Sequence, residues 1–124
     1  MTVIGASEMK NSLPNPVSAV VVNYNAGDFL RECLQSALEQ VAEIIVVDNA
    51  SEDGSIDRMQ TVFASESRIK IVRNYENVGF SAACNIGFRQ AQEDHILFLK
   101  PDCRLSFGAV TRLLRVLQSD PSVG

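Results

Sequence analysis

Four short apolar runs recur at nearly equal spacing along this chain, and each ends in polar residues. Ser18–Val22 runs into Asn23-Tyr24-Asn25, Ile44–Val47 into Asp48-Asn49, Ile69–Val72 into Arg73-Asn74, and Ile96–Leu99 into Lys100-Pro101-Asp102. Each run is β-branched or aromatic and bounded by turn residues, so each reads as a buried strand. Near-continuous apolarity without alternation is the pattern of a parallel sheet covered on both faces. Ligands of such sheets gather beyond the carboxyl ends of the strands, where these polar residues fall.

The stretches between the runs carry helical spacing. Phe29, Leu30, Cys33, Leu34, Ala37 and Leu38 form one stripe, and Ile56, Met59 and Phe63 a second. Phe80, Ala83, Cys84, Gly87, Phe88 and Ala91 form a third, whose small residues let a helix approach the sheet closely; Val110, Leu113, Leu114 and Leu117 form a fourth. Asp53-Gly54-Ser55 offers capping oxygens to the second helix and Ser106 to the fourth. The order is strand then helix, about four times over, which implies right-handed crossovers and a three-layer, doubly wound, mostly parallel α/β fold. Residues 1–16 mix Gly, Ser, Asn and two prolines without periodicity and read as a flexible leader, so the fold is expected to begin near Val17.

A chain of 124 residues is a single domain, large enough to bury about 65–70% of the surface its unfolded form exposes. A net charge of −4 with no clustered basic face argues against a nucleic-acid partner. No run is long enough to span a bilayer and no secretory segment is present, which leads us to expect a cytoplasmic protein. Cys33, Cys84 and Cys103 are odd in number and lack a CxxC pair, so they suggest neither a zinc ribbon nor a disulfide framework. Cys33 and Cys84 fall at apolar helical positions and read as small core residues. His95 falls at the start of the fourth strand, away from the polar ends, and is assigned no catalytic role.

Chemistry concentrates in four segments. Asn23-Tyr24-Asn25-Ala26-Gly27 suits a flat polar ligand, with a ring to line a pocket and amides that both donate and accept; it also reads as an ordinary Asn/Gly turn. The Asp48 carboxylate can accept from an imide or a ribose hydroxyl, or can cap the second helix together with Ser51. Asp48 precedes that helix by several residues, however, and Ser51 or Asp53 can cap without it. In Asn77–Asn85, Gly79 permits close backbone approach at a helix start that favours anions. Neither GxGxxG nor GxxxxGK[ST] is present. Asp102 is projected beyond the sheet by Pro101 and can hold a magnesium or manganese ion that also binds substrate phosphates.

Val20–Asn25, Ile45–Gly54, Asn77–Asn85 with Gly87, and Phe98–Asp102, in that order, resemble the family 2 glycosyltransferases of GT-A fold, most closely a rhamnosyltransferase-like bacterial branch. The resemblance covers Val17 to Gly124 and implies strand order 3-2-1-4. It also implies an N-terminal nucleotide-sugar-binding half, here residues 17–124, with the C-terminal acceptor half absent. Carried over by position, it places Asn23, Tyr24 and Asn25 at the nucleotide, Asp48 with neighbouring Asn49 at the base, and Asn77, Gly79 and Asn85 near the ribose and diphosphate. Asp102 takes the place of the last acid of the metal motif. Lys100 stands where that motif often carries Asn. An ammonium cannot coordinate a cation and repels a nearby one, so the expected Mg2+ or Mn2+ binding is weakened and Lys100 is a candidate donor-phosphate ligand.

The implied function is transfer of a glycosyl group from a nucleotide diphosphate sugar, UDP- or dTDP-linked, to a saccharide or lipid-linked acceptor, in the cytoplasm or at the inner face of the membrane. The alternative is a non-catalytic nucleotide-binding or assembly module of the same fold. No residue of this stretch is assigned as catalytic base. A phosphate-accepting signalling receiver would need an acidic pair after the first strand, and a nucleotidyltransferase a basic Gly-rich loop there; this chain has Asn23-Tyr24-Asn25 instead. The apolar, uncharged fourth strand is a poorly protected edge and is expected to support a homo-oligomer.

Overall fold

The computed structural model describes residues 15–119. Eight elements alternate along the chain: β1 (Asn15–Asn23), α1 (Phe29–Leu38), β2 (Val41–Asp48), α2 (Ser55–Val62), β3 (Ile69–Arg73), α3 (Phe80–Gln90), β4 (His95–Leu99) and α4 (Ala109–Ser119). The expected leader lies outside the described residues up to position 14. Its last two residues are structured: β1 starts at Asn15, whose N–H donates to the Gln40 carbonyl at 3.0 Å and whose side chain donates to the same oxygen at 2.9 Å.

The four strands form one parallel sheet in the order β3-β2-β1-β4, matching the expected 3-2-1-4. The register sets Asn23 beside Asp48, Asp48 beside Arg73, and Val21 beside Leu99, so all four carboxyl ends open on one edge. Alternate residues of β1 point to opposite faces. Val17, Ala19 and Val21 join Ile44 and Val46 beneath α1, α2 and α4, with Leu30, Leu34, Ile56, Met59 and Val110 filling that core. Val20 and Val22 join Ile45, Val47 and Ala83 beneath α3, the one helix on the second face.

Gly87 brings α3 close to the sheet: a Cβ there would collide with Val20 and Val47. The third stripe is therefore narrower than its spacing suggests. Ala83 and Gly87 face the sheet, whereas Phe80 and Phe88 are 58% and 57% exposed. Cys33 is buried in the larger core, as expected, and Cys84 is half-buried in the smaller one. Arg68 pairs with Glu66 and also donates to the carbonyls of Leu38 and Val41, closing the end of α1 onto the start of β2.

Glu43 is a charged residue inside the apolar layer of β2. The Ser18 hydroxyl donates to it at 2.5 Å, the Gln92 N–H at 2.6 Å and Lys70 Nζ at 3.1 Å, while the Glu93 N–H donates to Ser18 Oγ. Together these bonds tie β1, β2, β3 and the α3–β4 loop together at the amino end of the sheet. Burial pushes the Glu43 carboxyl up, but the bonds from Ser18, Gln92 and Lys70 outweigh it and hold the group below its ordinary value. A carboxyl whose folded pKa is depressed contributes stability above its unfolded pKa, and that contribution is lost as pH falls through the lower folded value. Glu43→Ala is expected to lower stability by about 2–3 kcal/mol at neutral pH, because it strands buried donors. In urea denaturation the gap between wild type and Glu43→Ala should close as pH drops from neutral to well below the ordinary carboxylate range.

Candidate functional site

Three polar loops at the carboxyl edge are bound to one another by side chains. Asn23, the last residue of β1, is fully buried, and its amide nitrogen lies 2.8 Å from Asp48 Oδ1, 3.1 Å from Ser51 Oγ and 3.0 Å from Ser55 Oγ. Ser51 is the hub. Its hydroxyl donates to Asp48 Oδ1 at 2.8 Å and accepts from the Asn25 N–H at 2.9 Å, while its own N–H donates to Asp48 Oδ2 at 3.0 Å. Asn25 Oδ1 accepts from the Glu52 N–H and Asp53 Oδ2 from the Gly27 N–H. The end of β1 and the loop after it are thus held to residues 48–55 by these six hydrogen bonds.

Asn49 makes the second join. Its N–H donates to the Asn23 carbonyl, its Oδ1 accepts from Asn74 Nδ2 at 2.9 Å and the Val78 N–H at 3.5 Å, and its Nδ2 donates to the Gly79 carbonyl at 3.3 Å. Asn77 closes a tight turn by accepting from the Gly79 N–H at 2.9 Å. Gly79, with φ of +85°, occupies a backbone region that favours glycine, and α3 starts directly after it.

The candidate residues divide into two sets. Asn23, Asp48 and Asn49 are no more than 2% exposed and spend their polar atoms inside the protein. Asp48, expected at a ligand base, is turned inward, with both carboxylate oxygens engaged by Asn23 and Ser51. Nor does Asp48 cap α2: the Ser55 N–H and hydroxyl bond Asp53 Oδ1 instead, at 3.0 and 2.6 Å. Burial acts against the Asp53 charge but is outweighed by bonds from Ser55 and Gly27 and by the nearby Arg58, so its carboxyl sits below its ordinary value. At α4, the Ser106 carbonyl, rather than its hydroxyl, receives the Ala109 N–H.

Tyr24, Asn25, Asn77, Gly79, Asn85, Lys100 and Asp102 form the exposed set. The pairing of Val21 with Leu99 makes Lys100 leave β4 beside the end of β1, in a turn closed by the Cys103 N–H on the Lys100 carbonyl at 2.9 Å. The helices after β1 and β2 lie on one face and that after β3 on the other, so the ends of β1 and β4 flank the crevice where such folds take ligands. Tyr24 lies on one side of it, and Lys100 and Asp102 on the other. Among the described residues no three His, Cys, Asp or Glu side chains converge as a metal-ligand set. Ser51, Asp53, Ser55 and Asn74 belong to the network, although in the sequence the first three stood out only as caps of the second helix and Asn74 only as a polar strand end. The signal for the rest is the density of Asn, Asp and Ser just past two neighbouring strands.

A four-stranded parallel sheet with helices on both faces and its polar loops knitted together at one edge defines a domain of the doubly wound α/β class. Residues 18–124 match the family model for glycosyl transferase family 2, and the chain belongs to that family. It is 35% identical over 89 residues to an uncharacterized glycosyltransferase of Haemophilus influenzae, covering 69% of this chain and 36% of that protein. The same identity and extent relate it to the TuaG glycosyltransferase of Bacillus subtilis, of which 35% is covered. The chain thus spans about a third of the length of the curated relatives it matches. In fold it is similar to the mannosyltransferase PcManGT of Pyrobaculum calidifontis, solved with GDP-Man and Mn2+, with a TM-score of 0.78, 23% identity, and coverage of 90% of this chain and 36% of that one. It is also similar to residues 1–349 of TarS from S. aureus, solved with UDP-GlcNAc, with a TM-score of 0.72, 21% identity, and coverage of 83% and 31%.

Ser51→Ala removes the hub of the network and is expected to cost about 1–3 kcal/mol through the buried partners it leaves unpaired. Chemical denaturation measures the loss, and the amide resonances of Asn25 and Asn49 should move with it.

Proposed function

We propose that this chain is the donor-binding part of a glycosyltransferase, holding a nucleotide diphosphate sugar in the crevice between the ends of β1 and β4. The observation that carries this reading is the mutual bracing of three polar loops at that edge, in a chain of glycosyl transferase family 2. The fold neighbours with bound GDP-Man and UDP-GlcNAc support a donor of this chemical class. In the reaction an acceptor hydroxyl oxygen bonds the anomeric carbon as the bond to the nucleoside diphosphate breaks. The residues described here contribute donor positioning and stabilisation of the leaving diphosphate. We assign a UDP- or dTDP-linked donor and a saccharide or lipid-linked acceptor, the latter at the inner, cytoplasmic face of a membrane. No helix among the described residues is long and apolar enough to cross a membrane.

On this reading the two sets of residues have different tasks. Tyr24 and Asn25 meet the nucleoside, and Asn77, Gly79 and Asn85 lie toward the ribose and diphosphate. Buried Asn23, Asp48 and Asn49 are positioning residues that hold the loops. Asp102 stands as a lone exposed carboxylate two residues from the Lys100 ammonium, a poor pair for a divalent cation. Lys100 is assigned to a donor phosphate, giving part of the charge compensation a metal would supply.

NMR titration of the 124-residue chain with UDP and dTDP, with and without manganese, tests this. Shifts are expected at Tyr24, Asn25, Gly79 and Lys100, with little dependence on manganese. Lys100→Ala should weaken binding about tenfold, the scale of one hydrogen bond to a charged group. An absence of shifts at millimolar nucleotide overturns the reading. Binding by the longest available form of the protein, without transfer or donor hydrolysis, selects a non-catalytic nucleotide-binding or assembly module.

We also propose a homo-oligomer formed through the open edge of β4. Phe98 is 48% exposed there, and Ile96, Leu97, Leu113 and Leu117 line an apolar groove between β4 and α4. Sedimentation across a concentration series should show self-association that Phe98→Lys abolishes; a monomer throughout rejects it.

A further inference from the structure

The segment that follows β4 lies along α1 and the turn that ends it, fastened at three residues. Cys33 Sγ donates to the Lys100 carbonyl at 3.6 Å, Ser36 Oγ accepts from the Leu105 N–H at 3.0 Å, and Gln40 Nε2 donates to the Ser106 carbonyl at 2.8 Å. Cys33 and Ser36 share one face of α1, and Gln40 lies in the turn just past its end. Cys103 lies between the first two fastenings. Its own N–H donates to the same Lys100 carbonyl at 2.9 Å, and its side chain packs on the core cluster that contains Cys33. The Cys33 side chain and the Cys103 backbone therefore meet at one carbonyl oxygen, at the turn that carries Lys100 and Asp102.

We propose that Cys33 and Cys103 are a redox pair that closes to a disulfide and fixes the Lys100–Asp102 turn onto α1. The oxidant is a small disulfide such as oxidised glutathione. The half-buried Cys103, as its thiolate, attacks one glutathione sulfur, breaking the S–S bond and releasing one glutathione thiolate. Cys33 then gives its proton to solvent and its sulfur displaces the second glutathione from Cys103. In sum, two protein thiols and one small disulfide become one protein disulfide and two glutathione thiols. The order follows from access: Cys33 is fully buried. The half-buried Cys103 is therefore the first nucleophile and Cys33 the resolving partner. Cys84 lies on the opposite face of the sheet and is not part of the pair.

The redox chemistry stands independently of the donor site, whereas its consequence for nucleotide binding rests on the function proposed above. The test is to equilibrate the 124-residue chain in graded mixtures of reduced and oxidised glutathione, quench with iodoacetamide, and map the thiols by mass spectrometry. A monomer lacking two hydrogens is expected, with the Cys33 and Cys103 peptides joined and Cys84 alkylated. Cys84→Ser should keep this product and Cys103→Ser should lose it while remaining folded by circular dichroism. A Cys103 that stops as a glutathione adduct, a bridge through Cys84, or an intermolecular bridge overturns the proposal. UDP titration of the reduced and oxidised forms separates the two readings. Equal affinity in both forms overturns control of the turn, and no affinity in either form, with the disulfide mapped, counts against the donor site alone.

Discussion

β1 is the strand on which the remainder of the structure depends. It pairs with β2 on one side and β4 on the other, and Val17–Val22 are at most 8% exposed. A strand so placed must have its backbone groups paired on both edges and its side chains covered on both faces. The crossovers meet that demand unequally. The connections after β1 and β2 return over one face, and the connection after β3 passes beneath the other to reach β4, which reverses the direction of sheet growth at β1. The crevice between the ends of β1 and β4 follows from this reversal.

The polar end of β1 creates a second demand. Asn23 is fully buried, and an unpaired amide there would cost several kcal/mol. Its partners are Asp48, Ser51 and Ser55, and the Asp48 charge is in turn compensated by the Ser51 N–H and hydroxyl and by Asn23 itself. Each loop therefore sets the conformation of the next. Ala50 shows how firmly: it sits at φ of +61°, a conformation side-chain-bearing residues rarely adopt, at the middle of the turn that Asp48 closes on Ser51. Exposed Tyr24, Asn25, Asn77 and Gly79 are thereby presented on a frame whose own hydrogen bonds are satisfied.

Much of this was legible in the residues. Unbroken apolarity in short runs marks parallel strands, and the stripes between them mark the helices; the strand order came from the family resemblance, since periodicity says nothing of lateral position. What could not be read depends on contacts distant in sequence. Phe80 and Phe88 have core spacing, yet Gly87 draws α3 so near to Val20 and Val47 that only small residues fit on the contact face. Glu43 resembles a solvated residue at a strand start until the register sets it beside Ser18. Likewise, a carboxylate at the end of β2 can face a ligand or a neighbouring loop, and only the position of Ser51 decides that Asp48 faces the loop.

That inward turn bears on the charge of the proposed donor site. The chain carries a net charge of −4, an unfavourable background for a diphosphate. Two of the acids nearest the crevice are nonetheless committed elsewhere: Asp48 to Asn23 and Ser51, and Asp53 to Gly27, Ser55 and Arg58. A cation-dependent donor site would need carboxylates projecting toward the phosphates, and Asp48 is not available for that task. On the proposed reading the field at the crevice is set by Lys100 against Asp102, with the N–H groups of the first turn of α3 adding positive potential at Gly79. Replacing an ion by a lysine exchanges a strong, multiply coordinated charge for a single mobile one. Donor affinity then depends on how rigidly the Lys100 turn is held, and that turn is fastened to α1 through Cys33.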